Sequence, residues 1–122
     1  MKLIVVSNPL QQTEEINTIV KLFNCGLEHF HLRKPGFSKT ALENIIRQIP
    51  FQYHHRIIIH SHYSLATRYG LRGIHFPHHL IRKRVRSLFI YNYLRLLNPQ
   101  IHISASLHKI SELYADNRKY NY

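Results

Sequence analysis

Acidic residues are scarce in this chain: six Asp and Glu stand against seventeen Lys and Arg, for a formal charge of +11 at pH 7 with histidine neutral. The six acids are Glu14, Glu15, Glu28, Glu43, Glu112 and Asp116. All fall in expected helices or at a strand's start, so no carboxylate stands where a strand ends. Cysteine is nearly absent. Cys25 alone can form no internal disulfide, and its place before Gly26, at an expected helix end, reads as a buried thiol. Long apolar runs are missing too. The opening MKLIVVSNP breaks at Ser-Asn-Pro before it could serve as a signal peptide's apolar region or span a membrane. A soluble, cytoplasmic protein with no membrane partner is the expectation.

What remains is enough for a core: 44% of the 122 residues are apolar, which fits one domain over residues 1–122. Lys2 to Ser7 reads as a short buried strand, and Ile16, Ile19, Val20 and Phe23 recur at helical spacing until Gly26 can end the helix. His29 to Leu32 is a second strand, followed by the loop Arg33-Lys34-Pro35-Gly36. Thr40 with Glu43 has capping-box spacing ahead of a stripe of Leu42, Ile45, Ile46 and Ile49. Arg56 to His60 is the clearest strand, being β-branched and uninterrupted. Ser61 can cap a short helix that Gly70 closes, Gly73 to Phe76 is a fourth strand, Leu80 to Leu97 a helix, and Ile101 to Ala105 a fifth strand. A helix beginning over Ile110 to Tyr114 and the start of a sixth strand at Tyr120-Asn121-Tyr122 are expected after it.

Strands alternating with helices predict an α/β fold with a parallel sheet and right-handed crossovers. Four strands run into chemically useful side chains, at Arg33, His60, His75 and Ser106 with His108, which is how a βα-barrel assembles a site at one rim. A closed (βα)8 barrel takes about 250 residues, or about 200 at its smallest, so closure is not expected. A doubly wound domain is the alternative, without a Gly-rich phosphate fingerprint to support it.

The charge excess points to an anionic partner. The run Arg82 to Arg86 reads more simply as a solvated helix face than as a nucleic-acid contact, because no nucleic-acid-reading motif accompanies it. His60-Ser61-His62 and His78-His79 invite a zinc reading, but no cysteine or acid completes a tetrahedron with them, and no metal site is expected. His75, inside a four-residue strand, reads as structural.

The stretches His31-Leu32-Arg33-Lys34-Pro35, Ile57-Ile58-Ile59-His60-Ser61-His62, Gly73-Ile74-His75 and Ser104-Ala105-Ser106-Leu107-His108, in that order, resemble the thiamine phosphate synthase/TenI family. The resemblance implies a partial (βα)8 TIM-type barrel of about five parallel strands alternating with helices, not closed and C-terminally truncated. It also implies a phosphorylated thiazole or pyrimidine as the small-molecule partner. By that resemblance His31, Arg33, Lys34, His60 and Ser106 are substrate-binding, and His108 is the catalytic proton-transfer residue of a thiazole tautomerase.

The synthase branch uses Mg2+ held by aspartates. At the matching positions this chain has Ser61 after the third strand and Phe76-Pro77-His78-His79 after the fourth, so no cofactor is expected and proton transfer is the chemistry that remains. Two other readings compete: a non-catalytic barrel fragment that self-associates as a homo-oligomer, and, less favoured, a basic nucleic-acid-binding module.

Overall fold

A computed structural model describes residues 2–107 together with Ser111, Arg118, Tyr120 and Asn121. Five strands, β1 (Ile4–Val6), β2 (His29–Leu32), β3 (Ile57–Ile59), β4 (Gly73–Phe76) and β5 (His102–Ala105), lie side by side in chain order. Every neighbouring pair is parallel. Helices α1 (Glu15–Asn24), α2 (Lys39–Gln48), α3 (Ser64–Arg68), α4 (His78–Ile81) and α5 (Arg84–Leu97) fill the connections, with a 3-10 helix at Phe51–Arg56 before β3. This is the open, singly wound sheet of a partial barrel.

Because strand side chains alternate, each strand divides its residues between two faces. Phe30, Leu32, Ile57, Ile59, Ile74, Phe76 and Ile103 pack against the helices with Ile19 and Phe23 of α1 and Leu42, Ile45 and Ile46 of α2. The other face follows from the register, which aligns His31 with Ile58, Ile58 with Gly73, Gly73 with His102, and His75 with Ser104. One face is therefore hydrocarbon, and the opposite one is rich in imidazole and hydroxyl.

The helix ends obey local rules. After α1 the N–H of Leu27 bonds to Leu22 O and that of Gly26 to Phe23 O, and after α3 Leu71 and Gly70 repeat the pattern onto Ala66 and Thr67. These are Schellman motifs, and they need the left-handed backbone that Gly26 (φ 94°) and Gly70 (φ 59°) adopt. Arg56, at the foot of β3, donates Nη1 to the carbonyls of Phe23 and Leu27 and so ties α1 to the sheet's N-terminal end.

Several sequence expectations are revised. The cap of α2 is Ser38, whose hydroxyl accepts from Ala41 N, while Thr40 lies within the helix. Ser61 caps nothing, because α3 starts three residues later behind Tyr63. Cys25 is exposed, since it occupies the turn that leaves α1. The helix expected over residues 80–97 is two helices that break at Arg82 and Lys83. A continuous helix would stack Arg82 on Arg86 at i, i+4, with no acid nearby to offset the repulsion.

At the far edge, Asn121 donates its N–H to Ile103 O and accepts from Ile103 N–H through Oδ1, both at 2.7 Å. Asn121, in the segment expected to open a sixth strand, thus lies against β5, while Tyr122 is outside the described residues. The helix expected over residues 110–114 lies, save Ser111, outside the described residues. No helix among the described residues is long and apolar enough to cross a membrane.

Candidate functional site

The outlets of β2, β3 and β4 open into one cavity of about 730 Å3, whose lining includes Arg33, His60, Tyr63, Lys83, Arg86 and Tyr93. Its rim is held by hydrogen bonds that run between consecutive loops. Ser7 Oγ accepts from Arg33 N at 2.9 Å and donates to Arg33 O at 3.0 Å, fixing the backbone from which the guanidinium extends. His62 sits in the left-handed region (φ 50°) with Nε2 2.8 Å from Phe37 O, which locks the loop after β3 to the loop after β2. The Tyr63 hydroxyl lies 3.1 Å from the carbonyls of both His60 and His75, and burial raises its pKa.

The charge at this mouth is positive, with no counter-charge among the described residues. Arg33, Lys83 and Arg86 are exposed at its wall, and no described carboxylate lines it. The basic run, expected to be a solvated face, therefore lends two of its cations to the cavity. Lys83 stands at the break between α4 and α5 and Arg86 in the first turn of α5, and a regular helical reading of the sequence hides that break.

Lys34 departs from the expected substrate-binding role. Its stem borders the cavity, but its ammonium turns away, donating to Asn8 O at 2.8 Å, Leu10 O at 2.9 Å and Glu15 Oε1 at 2.6 Å. An ammonium has three donors, and all three are used. Lys34 is 1% exposed, so it fastens the β1–α1 loop rather than facing solvent.

Behind the cavity wall three imidazoles converge. His31 Nδ1 lies 2.8 Å from His60 Nε2, and the rings of His60 and His75 stack at 4.4 Å between centroids. His75 in turn places Nδ1 2.7 Å from Ser104 Oγ and Nε2 2.8 Å from Ser106 Oγ. The structure thus gathers the expected residues His31, His60 and Ser106 around His75, a strand-end histidine that the sequence reads as more structural than substrate-binding. His108 lies outside the described residues.

Burial holds the imidazoles in the neutral form. It lowers His31 to about 4, helped by the nearby His75 and His29, and His60 to about 3, helped by His75, His31 and Arg33. His75 is lowered by burial as well.

The unfolded chain therefore binds more protons than the folded one between the ordinary histidine pKa of 6.5 and these lowered values. Stability from this source is complete above pH 6.5 and is lost progressively as the pH falls towards about 3. The melting temperature is expected to drop steadily across that window. A flat profile by circular dichroism would contradict the buried, uncharged state of the rings.

The donors present do not suit Mg2+, which takes oxygen ligands in octahedral geometry. Glu15 is held by Lys34, and Glu43 is bound by Arg68 and Tyr69, so neither carboxylate reaches the cavity.

No family model matches the chain, and no curated protein matches it. A solved structure does: the thiamine phosphate pyrophosphorylase from Bacteroides thetaiotaomicron, at 32% identity and a TM-score of 0.74. The match covers 100% of this chain and 56% of that one, so the chain spans little more than half the length of the protein it resembles.

Proposed function

We propose, on the premise that this chain is thiamine phosphate synthase-like in fold and sequence, that its basic cavity binds a phosphorylated thiazole or pyrimidine. The observation that carries this reading is the cavity at the strand outlets, with Arg33, Lys83 and Arg86 on its wall and no acid among the described lining residues. A guanidinium matches two phosphate oxygens in its plane, and Lys83 adds a point charge that tolerates either a mono- or a diphosphate. The rim bonds through Ser7 and His62 keep the site formed before the ligand arrives.

The chemistry proposed there is proton transfer, with no step routed through Mg2+. His108, in the Ser-x-His segment, is the proposed proton carrier. The neutral His60 offers hydrogen bonding to the heterocycle from the cavity wall.

Titration with inorganic pyrophosphate is expected to show binding that weakens as salt rises, with Arg33→Gln and Arg86→Gln each costing about tenfold in affinity. Unchanged affinity in both variants would overturn the assignment of the cavity. For the proton step, His108→Gln is expected to abolish conversion of a thiazole phosphate tautomer while leaving pyrophosphate affinity intact.

A second reading rests on exposed apolar surface. Val85 is 86% exposed, Phe89 72% and Leu96 81%, all on α5, and Leu3 beside β1 is 67% exposed. We propose that these surfaces are covered by self-association. Sedimentation at micromolar concentration is expected to show a species larger than one chain, and Phe89→Ser with Leu96→Ser to shift it towards the monomer. A monomer of the unaltered chain at all concentrations would remove this reading.

A further inference from the structure

We propose that His31, His60 and His75 form a binding site for one divalent transition-metal ion, preferentially zinc. The three residues come from adjacent parallel strands or their ends, and strand alternation sends all three to the face opposite the helices. Ring centroids stand 5.1 Å apart for His31 and His60, 5.6 Å for His31 and His75, and 4.4 Å for His60 and His75. One nitrogen from each ring lies within 4.8 Å of the other two. A tetrahedral zinc with Zn–N bonds of about 2.0–2.1 Å needs nitrogens roughly 3.3 Å apart. Gaps of up to 4.8 Å close by at most about 1.5 Å, shared between two rotating rings, while the 2.8 Å His31–His60 pair opens by about 0.5 Å.

The donor type selects the ion. Three imidazoles with no carboxylate among them suit zinc, copper, nickel or iron and do not suit magnesium or calcium. Zinc commonly takes three protein ligands and keeps a fourth position for water or substrate. His60 belongs both to the cluster and to the cavity wall, so the fourth ligand comes from the cavity side.

An outer shell is also in place. Ser104 and Ser106 hydroxyls flank the two nitrogens of His75, and when one nitrogen takes the metal the other keeps a serine that fixes the ring. His31 is 3% exposed, which limits competition from bulk water.

Without metal, the same rings satisfy one another by hydrogen bonding, with a single proton shared between His31 Nδ1 and His60 Nε2. The two arrangements differ in what zinc does to the protein. The proposal stands apart from the phosphate reading, because zinc can bind whether or not pyrophosphate does.

The test is calorimetric titration of the metal-stripped full chain with zinc chloride, followed by metal analysis after dialysis. One zinc per chain is expected. His60→Ala and His75→Ala are each expected to weaken binding at least about 100-fold, given that loss of even an outer-shell partner costs about 10–100-fold. His55→Ala, which removes an exposed histidine, is expected to leave it unchanged.

Cobalt substitution of the unaltered chain guards against a variant that fails to fold. Intense visible bands of a tetrahedral centre support the site, and a weak octahedral spectrum overturns it. Stoichiometry well below one, or zinc affinity indifferent to His60 and His75, overturns it as well.

Discussion

Replacing Lys34 with alanine is expected to lower the unfolding free energy by about 3–5 kcal/mol, the range for breaking a buried ion pair by removing one partner. The lysine side chain is 0% exposed and the Glu15 side chain 9%, so the carboxylate left behind has little water to turn to. The carbonyls of Asn8 and Leu10 lose their donor in the same step. Urea unfolding followed by far-UV circular dichroism measures the loss. Lys34→Met combined with Glu15→Leu is expected to recover part of it, because no charge then remains unpaired. If Lys34→Ala alone proved neutral, the ammonium would not be the clamp on the β1–α1 loop. A loss of pyrophosphate affinity with no loss of stability would instead return Lys34 to the ligand.

Gly73→Ala is expected to cost about 3 kcal/mol, at the upper end for overpacking a dense interior. A Cβ built on Gly73 would stand 1.9 Å from His102 O and 2.8 Å from His102 Cβ. The obstacle is backbone of the paired strand, so relief requires β4 and β5 to separate. Since His75 reaches Ser104 across the same pair, the substitution also loosens the imidazole cluster. A melting temperature unchanged by Gly73→Ala would mean that β5 does not approach β4 as described. Conformational freedom is not the issue at Gly73, as it is at Gly26 and Gly70. Here the hydrogen is needed for space.

Much of the architecture was legible in the residues. Ile57-Ile58-Ile59 is β-branched without interruption, and such a run fits a strand buried on both faces, as each of the three residues is. His29–Leu32 and Gly73–Phe76 fall where turn residues on either side delimit them. The helical stripes of α1 and α2 follow from spacing alone, since Ile19, Phe23, Leu42, Ile45 and Ile46 are the residues they bury. The ordered strand ends carried the resemblance that the solved pyrophosphorylase structure bears out.

The site was legible only in outline. Arg33, His60 and Ser106 could be placed at strand outlets because a parallel sheet sends all its C-terminal ends to one rim. The direction of Lys34 could not be read, because Arg33 and Lys34 are adjacent cations and only the position of Glu15 and two carbonyls decides which one turns inward. Lys83 and Arg86 were hidden by a helix that breaks where a regular pattern would continue.

Local sequence determined where strands and helices form and which residues leave the strands, because alternation, helical periodicity and turn chemistry act over a few neighbours. Tertiary structure alone decided that His31, His60 and His75 share one space. His31 and His60 are 29 positions apart along the chain, and their 2.8 Å approach depends on the register of β2, β3 and β4. A shift of one residue in that register would send a strand's side chains to the opposite face and scatter the cluster, and no short stretch of sequence encodes it.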